Sequence, residues 1–137
     1  MLGDADGFAY PLVELPPSAV ASPEAAVKFL VNELVRLGRL RPENAARVTS
    51  QVVHRESLGS TGVGRGVALP HSKSNEVGEV LGVVGRSAVP VPWPGAMDEE
   101  PVRVVCLLIT PASEPDASFR ALEAAARQLR QVSAGGL

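Results

Sequence analysis

A single cysteine, Cys106, stands in 137 residues, so no disulfide framework can form within the chain. No apolar run approaches the ~20 residues that span a bilayer. No block of five or more basic residues occurs. The formal net charge of −2 gives no broad pull toward nucleic acid or an anionic membrane. Met1 to Ala9 carries Asp4 and Asp6 but no basic segment ahead of an apolar one, which argues against a secretory signal. Internal repeats are also missing. These gaps exclude a disulfide-stapled, membrane-spanning or broadly nucleic-acid-binding protein, and a cytoplasmic protein is the expectation.

What is present suits one compact α/β domain over residues 1–137, with 1–9 and 133–137 loose. The apolar fraction of 45% is ordinary for a globular chain. Cys106 lies inside the apolar run Val102–Ile109 and reads as a small buried hydrophobe. That run has strand length and is the best candidate for a central strand.

Other elements follow from local chemistry. Leu12–Leu15 is a candidate strand, ended by Pro16-Pro17. Ser22-Pro23-Glu24 opens a helix with a capping hydroxyl, a first-turn proline and an acid. Val27, Leu30, Val31, Leu34 and Leu37 give that helix one apolar face, and Gly38 ends it. A second helix runs from Pro42 to about Glu56, with Ala45, Val48 and Val52 inward. Ser72–Glu79 reads as a polar turn and Val80–Val84 as a strand closed by Gly85-Arg86-Ser87. Val89–Pro94 alternates proline with Val or Trp and reads as an edge segment, with Trp93 capping the core. Pro111–Ala117 reads as a loop. The last helix starts near Ser118, with Phe119, Leu122, Ala126 and Leu129 inward. The order predicts a mixed β-sheet flanked by helices on both faces.

The chemistry gathers in Gly59–His71. Gly59, Gly62, Gly64 and Gly66 permit left-handed backbone and close approach to the main chain. Val67-Ala68-Leu69 reads as a strand end, and Pro70 stiffens the delivery of His71. A mobile glycine loop followed by a fixed imidazole suits nucleophilic or proton-handling histidine. The plainer readings are a surface histidine and a plain strand connection. Arg55 falls near the end of the second helix, where a cation complements the helix dipole. There it is also placed to grip phosphate in a bidentate fork. Ser60 and Thr61 add hydroxyls. His54 reads as a surface residue, and a His54–His71 metal pair lacks further ligands at a useful spacing. Gly59 to Gly64 has Walker spacing, but Arg65-Gly66 replaces the Lys-Ser/Thr of a nucleotide-binding loop.

The stretch from Arg55-Glu56 through Gly59-Ser60-Thr61-Gly62 to Ala68-Leu69-Pro70-His71 resembles the signature of phosphotransferase-system enzyme IIA domains of the fructose/mannitol type. That class includes the nitrogen-related regulatory IIA proteins. The similarity extends more weakly from about Leu12 to about Leu129. The resemblance implies a mixed sheet sandwiched by helices, with His71 reversibly phosphorylated by a phosphocarrier protein (HPr or its nitrogen-type equivalent). The phosphoryl group would pass on to a IIB domain or act as a switch on a regulatory protein, with no metal, cofactor, nucleic acid or membrane insertion. Arg55, Thr61, Ser60, Ser72 and nearby amides would neutralise its oxygens.

One departure stands out. The family commonly has a second histidine at the start of the helix after the central strand, where this chain has Ser118. Ser118 reads as a helix N-cap that can also donate to a phosphate oxygen, but it carries no charge. The chain also ends soon after this helix, where the family usually continues. A IIA-shaped binding module without transfer is therefore the alternative.

Overall fold

A computed structural model describes residues 10–134. Helix α1 (Pro23–Arg36) starts where its signals place it: the Ser22 hydroxyl accepts the Ala25 N–H at 3.1 Å, with Pro23 in the first turn. It ends at Gly38, whose φ of +75° lets the Arg39 and Leu40 amides turn back onto the Leu34 carbonyl. A short 3-10 turn at Pro42–Asn44 leads into α2 (Ala45–Ser57). The last helix, α3, spans Pro115–Ala134.

Among the described residues the sheet has six strands: β1 (Leu12–Glu14), β2 (Gly62–Gly64), β3 (Val67–Ala68), β4 (His71–Ser74), β5 (Leu81–Val91) and β6 (Val102–Pro111). β6 is central. It pairs antiparallel with β5 on one side and parallel with β3 and β4 on the other. β1 joins β5 in parallel, and β2 closes an antiparallel hairpin with β3.

Period-two alternation on β6 divides the core between the two faces. Val105, Leu107 and Ile109 pack with Val27, Leu30, Val31 and Leu34 of α1 and with Val48 and Val52 of α2. Val104, Cys106 and Leu108 pack with Ala125 and Leu129 of α3. Helices on both faces of a mixed sheet is thus the observed architecture. Gly85 lets α1 approach: a Cβ there would meet Leu15 Cδ2 at 2.7 Å and Leu30 Cδ2 at 3.1 Å. Cys106 is fully buried, which pushes its thiol pKa up to about 12. Trp93 is buried, as its place in the sequence suggests.

These expectations are corrected. The glycine stretch is a β-hairpin rather than a mobile loop: Gly64, Arg65 and Gly66 all take positive φ and make its turn. His71–Ser74 is a strand, because β6 supplies partners for its polar backbone. β5 runs on to Val91, with a register shift after Arg86. Helix α3 begins at Pro115, three residues before the expected start near Ser118, and extends to Ala134. Phe119 is 65% exposed rather than in the core. Residues 1–9 and 135–137, expected to be loose, lie outside the described residues.

Candidate functional site

β3 and β4 behave as one strand with a two-residue gap. Val67 faces Val104, and His71, four residues on, faces Leu108, also four residues on. The register survives the gap because the Pro70 carbonyl still accepts the Leu108 N–H at 3.1 Å. Proline has no N–H to give a ladder, so the pairing lapses at Pro70 and resumes at His71.

His71 is half-buried at the head of β4. Its Nδ1–H donates to the Leu69 carbonyl at 2.7 Å. No hydrogen bond among the described residues engages Nε2, so that nitrogen keeps its lone pair in the neutral ring. Burial lowers the imidazole pKa below the ordinary histidine value. The Leu69 carbonyl opposes that shift, the nearby Arg55 charge adds to it, and the Glu56 charge opposes it. The arrangement can present a neutral nitrogen nucleophile near a guanidinium.

Arg55 stands in the last turn of α2. Its Nη1 donates to the Gly59 carbonyl at 3.0 Å, which lays the guanidinium along the start of the glycine stretch. Ser60 accepts the Gly62 N–H on its hydroxyl at 3.0 Å. The Ser72 hydroxyl donates to the Lys73 carbonyl at 3.0 Å.

Thr61 and Ser118 are placed differently from the expectation of free phosphate donors. Thr61 is buried, and its hydroxyl donates to Glu56 Oε1 at 2.5 Å. Ser118 is fully buried inside α3, where its hydroxyl meets the carbonyls of Pro111 and Glu114, each at 3.1 Å. It is therefore not the N-cap. The helix starts three residues earlier, on Pro115 and Asp116.

The residue that sequence reasoning missed is Glu56. Its Oε2 accepts the Thr61 main-chain N–H at 2.9 Å and the Trp93 indole N–H at 3.1 Å. Its place beside Arg55 was visible in the sequence, but no sequence signal ties it to Trp93. His54 is exposed, as expected. The exposed apolar side chains include Leu58 next to the glycine stretch, Met97, whose N–H bonds the Gly62 carbonyl, and Phe119 on α3. No helix among the described residues is long and apolar enough to cross a membrane.

Comparison with known proteins places the fold. Residues 10–132 match the family model described as phosphoenolpyruvate-dependent sugar phosphotransferase system, EIIA 2. The fructose-specific EIIA component of Haloferax volcanii is 32% identical over 117 residues, covering 85% of this chain and 72% of that protein. The crystal structure of nitrogen regulatory protein IIA-Ntr from Neisseria meningitidis superposes with a TM-score of 0.70 at 27% identity, over 83% of this chain and 73% of that one. At 19% identity, the likeness to mannitol enzyme IIA of Escherichia coli, solved in complex with phosphorylated mannitol enzyme IIB, is one of fold: TM-score 0.60 over 90% of this chain and 99% of that one. The chain belongs to the type 2 family of enzyme IIA domains of the phosphoenolpyruvate-dependent sugar phosphotransferase system.

Proposed function

We propose that this protein is a phosphoryl carrier that accepts phosphate on Nε2 of His71 from a phosphocarrier protein. The observation that carries the reading is the pairing of a tied Nδ1–H with an unengaged Nε2. The Nε2 lone pair attacks phosphorus in line. The P–N bond of the donor phosphohistidine breaks as the new one forms, and its electron pair returns to the carrier's imidazole. The His71 ring becomes cationic with its proton still on Nδ1, held by the Leu69 carbonyl. Exchange between two similar nitrogens leaves positioning and charge neutralisation as the main tasks.

Arg55 is the charge that meets the equatorial oxygens, assisted by Ser60, by main-chain amides of the glycine stretch and by Ser72 once its exposed hydroxyl turns from the Lys73 carbonyl, a rotation that burial denies to Thr61 and Ser118. Thr61 and Ser118 serve as framework, because their hydroxyl protons are already committed. Leu58, Met97 and Phe119 supply apolar contact for the docking proteins. The onward acceptor is a IIB domain or a regulatory target. The mannitol neighbour solved with phosphorylated IIB supports the first, and the IIA-Ntr neighbour supports the second. Exchange with such a carrier puts the protein in the cytoplasm.

A second reading, a binding module without transfer, draws on Ser118, an uncharged residue where the family commonly has histidine. One incubation separates the two. With phosphoenolpyruvate, enzyme I and the cognate carrier, acid-labile label should appear on the wild type and not on His71→Ala. No label on either supports the binding module; label on both points to His54.

A further inference from the structure

We propose that Glu56 is a positioning residue for His71, acting through Thr61 and Leu69 without touching the phosphoryl group. The inference rests on the carrier reading above. A continuous set of contacts leads from the carboxylate to the imidazole. Glu56 accepts the N–H and the hydroxyl of Thr61 at 2.9 and 2.5 Å. The Thr61 carbonyl accepts the Leu69 N–H at 3.1 Å. The Leu69 carbonyl accepts the His71 Nδ1–H at 2.7 Å. Each residue in the path fixes the next, and the last one sets which imidazole nitrogen faces outward.

The same carboxylate is also held from a second segment of the chain. The buried Trp93 donates its indole N–H to Glu56 Oε2 at 3.1 Å. Trp93 and its neighbours also clamp Gly62: a Cβ there would lie 2.6 Å from Ala96 Cβ and 3.1 Å from Trp93 Cδ1. The Met97 N–H completes the clamp on the Gly62 carbonyl at 3.1 Å. Thr61-Gly62 is thus gripped from α2 on one side and from the 93–97 segment on the other.

Oε2 has to be an acceptor, since the Thr61 and Trp93 N–H groups both point at it, whereas the Thr61 hydroxyl on Oε1 can donate or accept. Glutamine can therefore keep all three contacts, with its amide oxygen toward the two N–H groups, while leucine keeps much of the volume and accepts none of them. Among the described residues no Lys or Arg forms an ion pair with Glu56. Three neutral donors hold its charge in place, and its field reaches the imidazole.

The test compares wild type, Glu56→Gln, Glu56→Leu, Thr61→Val and the Glu56→Leu/Thr61→Val double variant in transfer from the phosphorylated carrier. Glu56→Leu should lower the maximal rate at least tenfold, roughly the scale of a lost positioning contact, with the carrier KM within about twofold, and Glu56→Gln should restore most of that rate because it keeps the acceptor. The double variant should be no more than about twofold slower than Glu56→Leu, because both changes cut the same path. Nitrogen-15 NMR of His71 gives a readout independent of transfer. The Nδ1–H form should dominate in wild type and Glu56→Gln and lose its dominance in Glu56→Leu. A wild-type rate in Glu56→Leu, multiplicative losses in the double variant, or an unchanged His71 tautomer in Glu56→Leu would each overturn the proposal. If wild type accepts no phosphate, the carrier reading fails, and the tautomer measurement alone still decides the role of Glu56.

Discussion

His71 donates its Nδ1–H to the carbonyl of Leu69, two residues earlier, at 2.7 Å. Such a short loop of chain closes around Pro70, which fixes φ between the two residues and so limits how the ring can swing. The first prediction follows from that contact. In the unphosphorylated protein, nitrogen-15 NMR should find the proton of neutral His71 on Nδ1 and an unprotonated Nε2. An excess of the opposite tautomer would mean that the Leu69 carbonyl does not set the ring.

The pH dependence has a definite sign. Burial lowers the His71 pKa from the ordinary value, so the folded protein binds that proton less readily than the unfolded chain does. The stabilisation contributed by neutral His71 is full above about pH 6.5, the unfolded value, and is lost as pH falls through the lower folded value. Wild type should therefore lose stability relative to His71→Gln as pH is lowered from 7 to 5. Chemical denaturation of both proteins across that range checks it. Transfer to His71 should hold its rate down to about pH 6.5 and fall only below it; a fall beginning well above pH 7 would contradict the direction of the shift.

Arg55 should matter for transfer more than for folding. Its single hydrogen bond to Gly59 is exposed, so Arg55→Ala should cost less than about 1 kcal/mol of stability. Transfer should slow roughly 10- to 100-fold, less than a buried oxyanion donor would cost, because water shares the site. Arg55→Lys should recover only part of the rate, since an ammonium lacks the planar fork. Rapid-quench transfer kinetics with matched thermal melts measure both quantities, and an unchanged rate in Arg55→Ala would remove that residue from the site.

Two glycines separate framework from site. Gly85→Ala would drive its Cβ against Leu15 and Leu30, and Gly62→Ala against Ala96. Each should destabilise the fold by about 1–3 kcal/mol, the usual cost of overpacking. Gly62→Ala alone should also slow transfer, measured where both variants remain folded, because it spreads the clamp on Thr61-Gly62. Equal transfer rates in the two variants would show that the clamp has no bearing on His71.

Much of this architecture was legible in the residues. Ser22-Pro23 and Gly38 mark the ends of α1, and its apolar stripe from Val27 to Leu34 is the buried face, whereas Leu37, expected on that face, is exposed. Val102–Ile109 is the heart of the central strand. What escaped was structure supported from a distance. Gly62–Gly64 and Val67–Ala68 are too short and small to show a period, and their strand geometry comes from pairing with each other and with β6. The polar His71–Ser74 segment extends for the same reason. Gly85-Arg86-Ser87 read as the close of one strand and Val89–Pro94 as a separate edge segment, yet β5 runs through to Val91 and tolerates Pro90 because β1 reaches no further than Arg86 and leaves that edge open. At the candidate site, His71 and Arg55 stand out because glycine, proline and helix-end chemistry surround them. Glu56 was not, since Trp93 lies 37 residues away in the chain. Thr61 and Ser118 were assigned by type as hydroxyls, and burial then decided where their protons go.

The central claim concerns one nitrogen atom. Phosphorylate the protein through phosphoenolpyruvate, enzyme I and the carrier, then locate the phosphorus by phosphorus-31 and long-range proton–nitrogen NMR. Attachment should be to Nε2 of His71, with the proton kept on Nδ1. Attachment to Nδ1, attachment to His54, or an unmodified protein after full turnover of the carrier would contradict it.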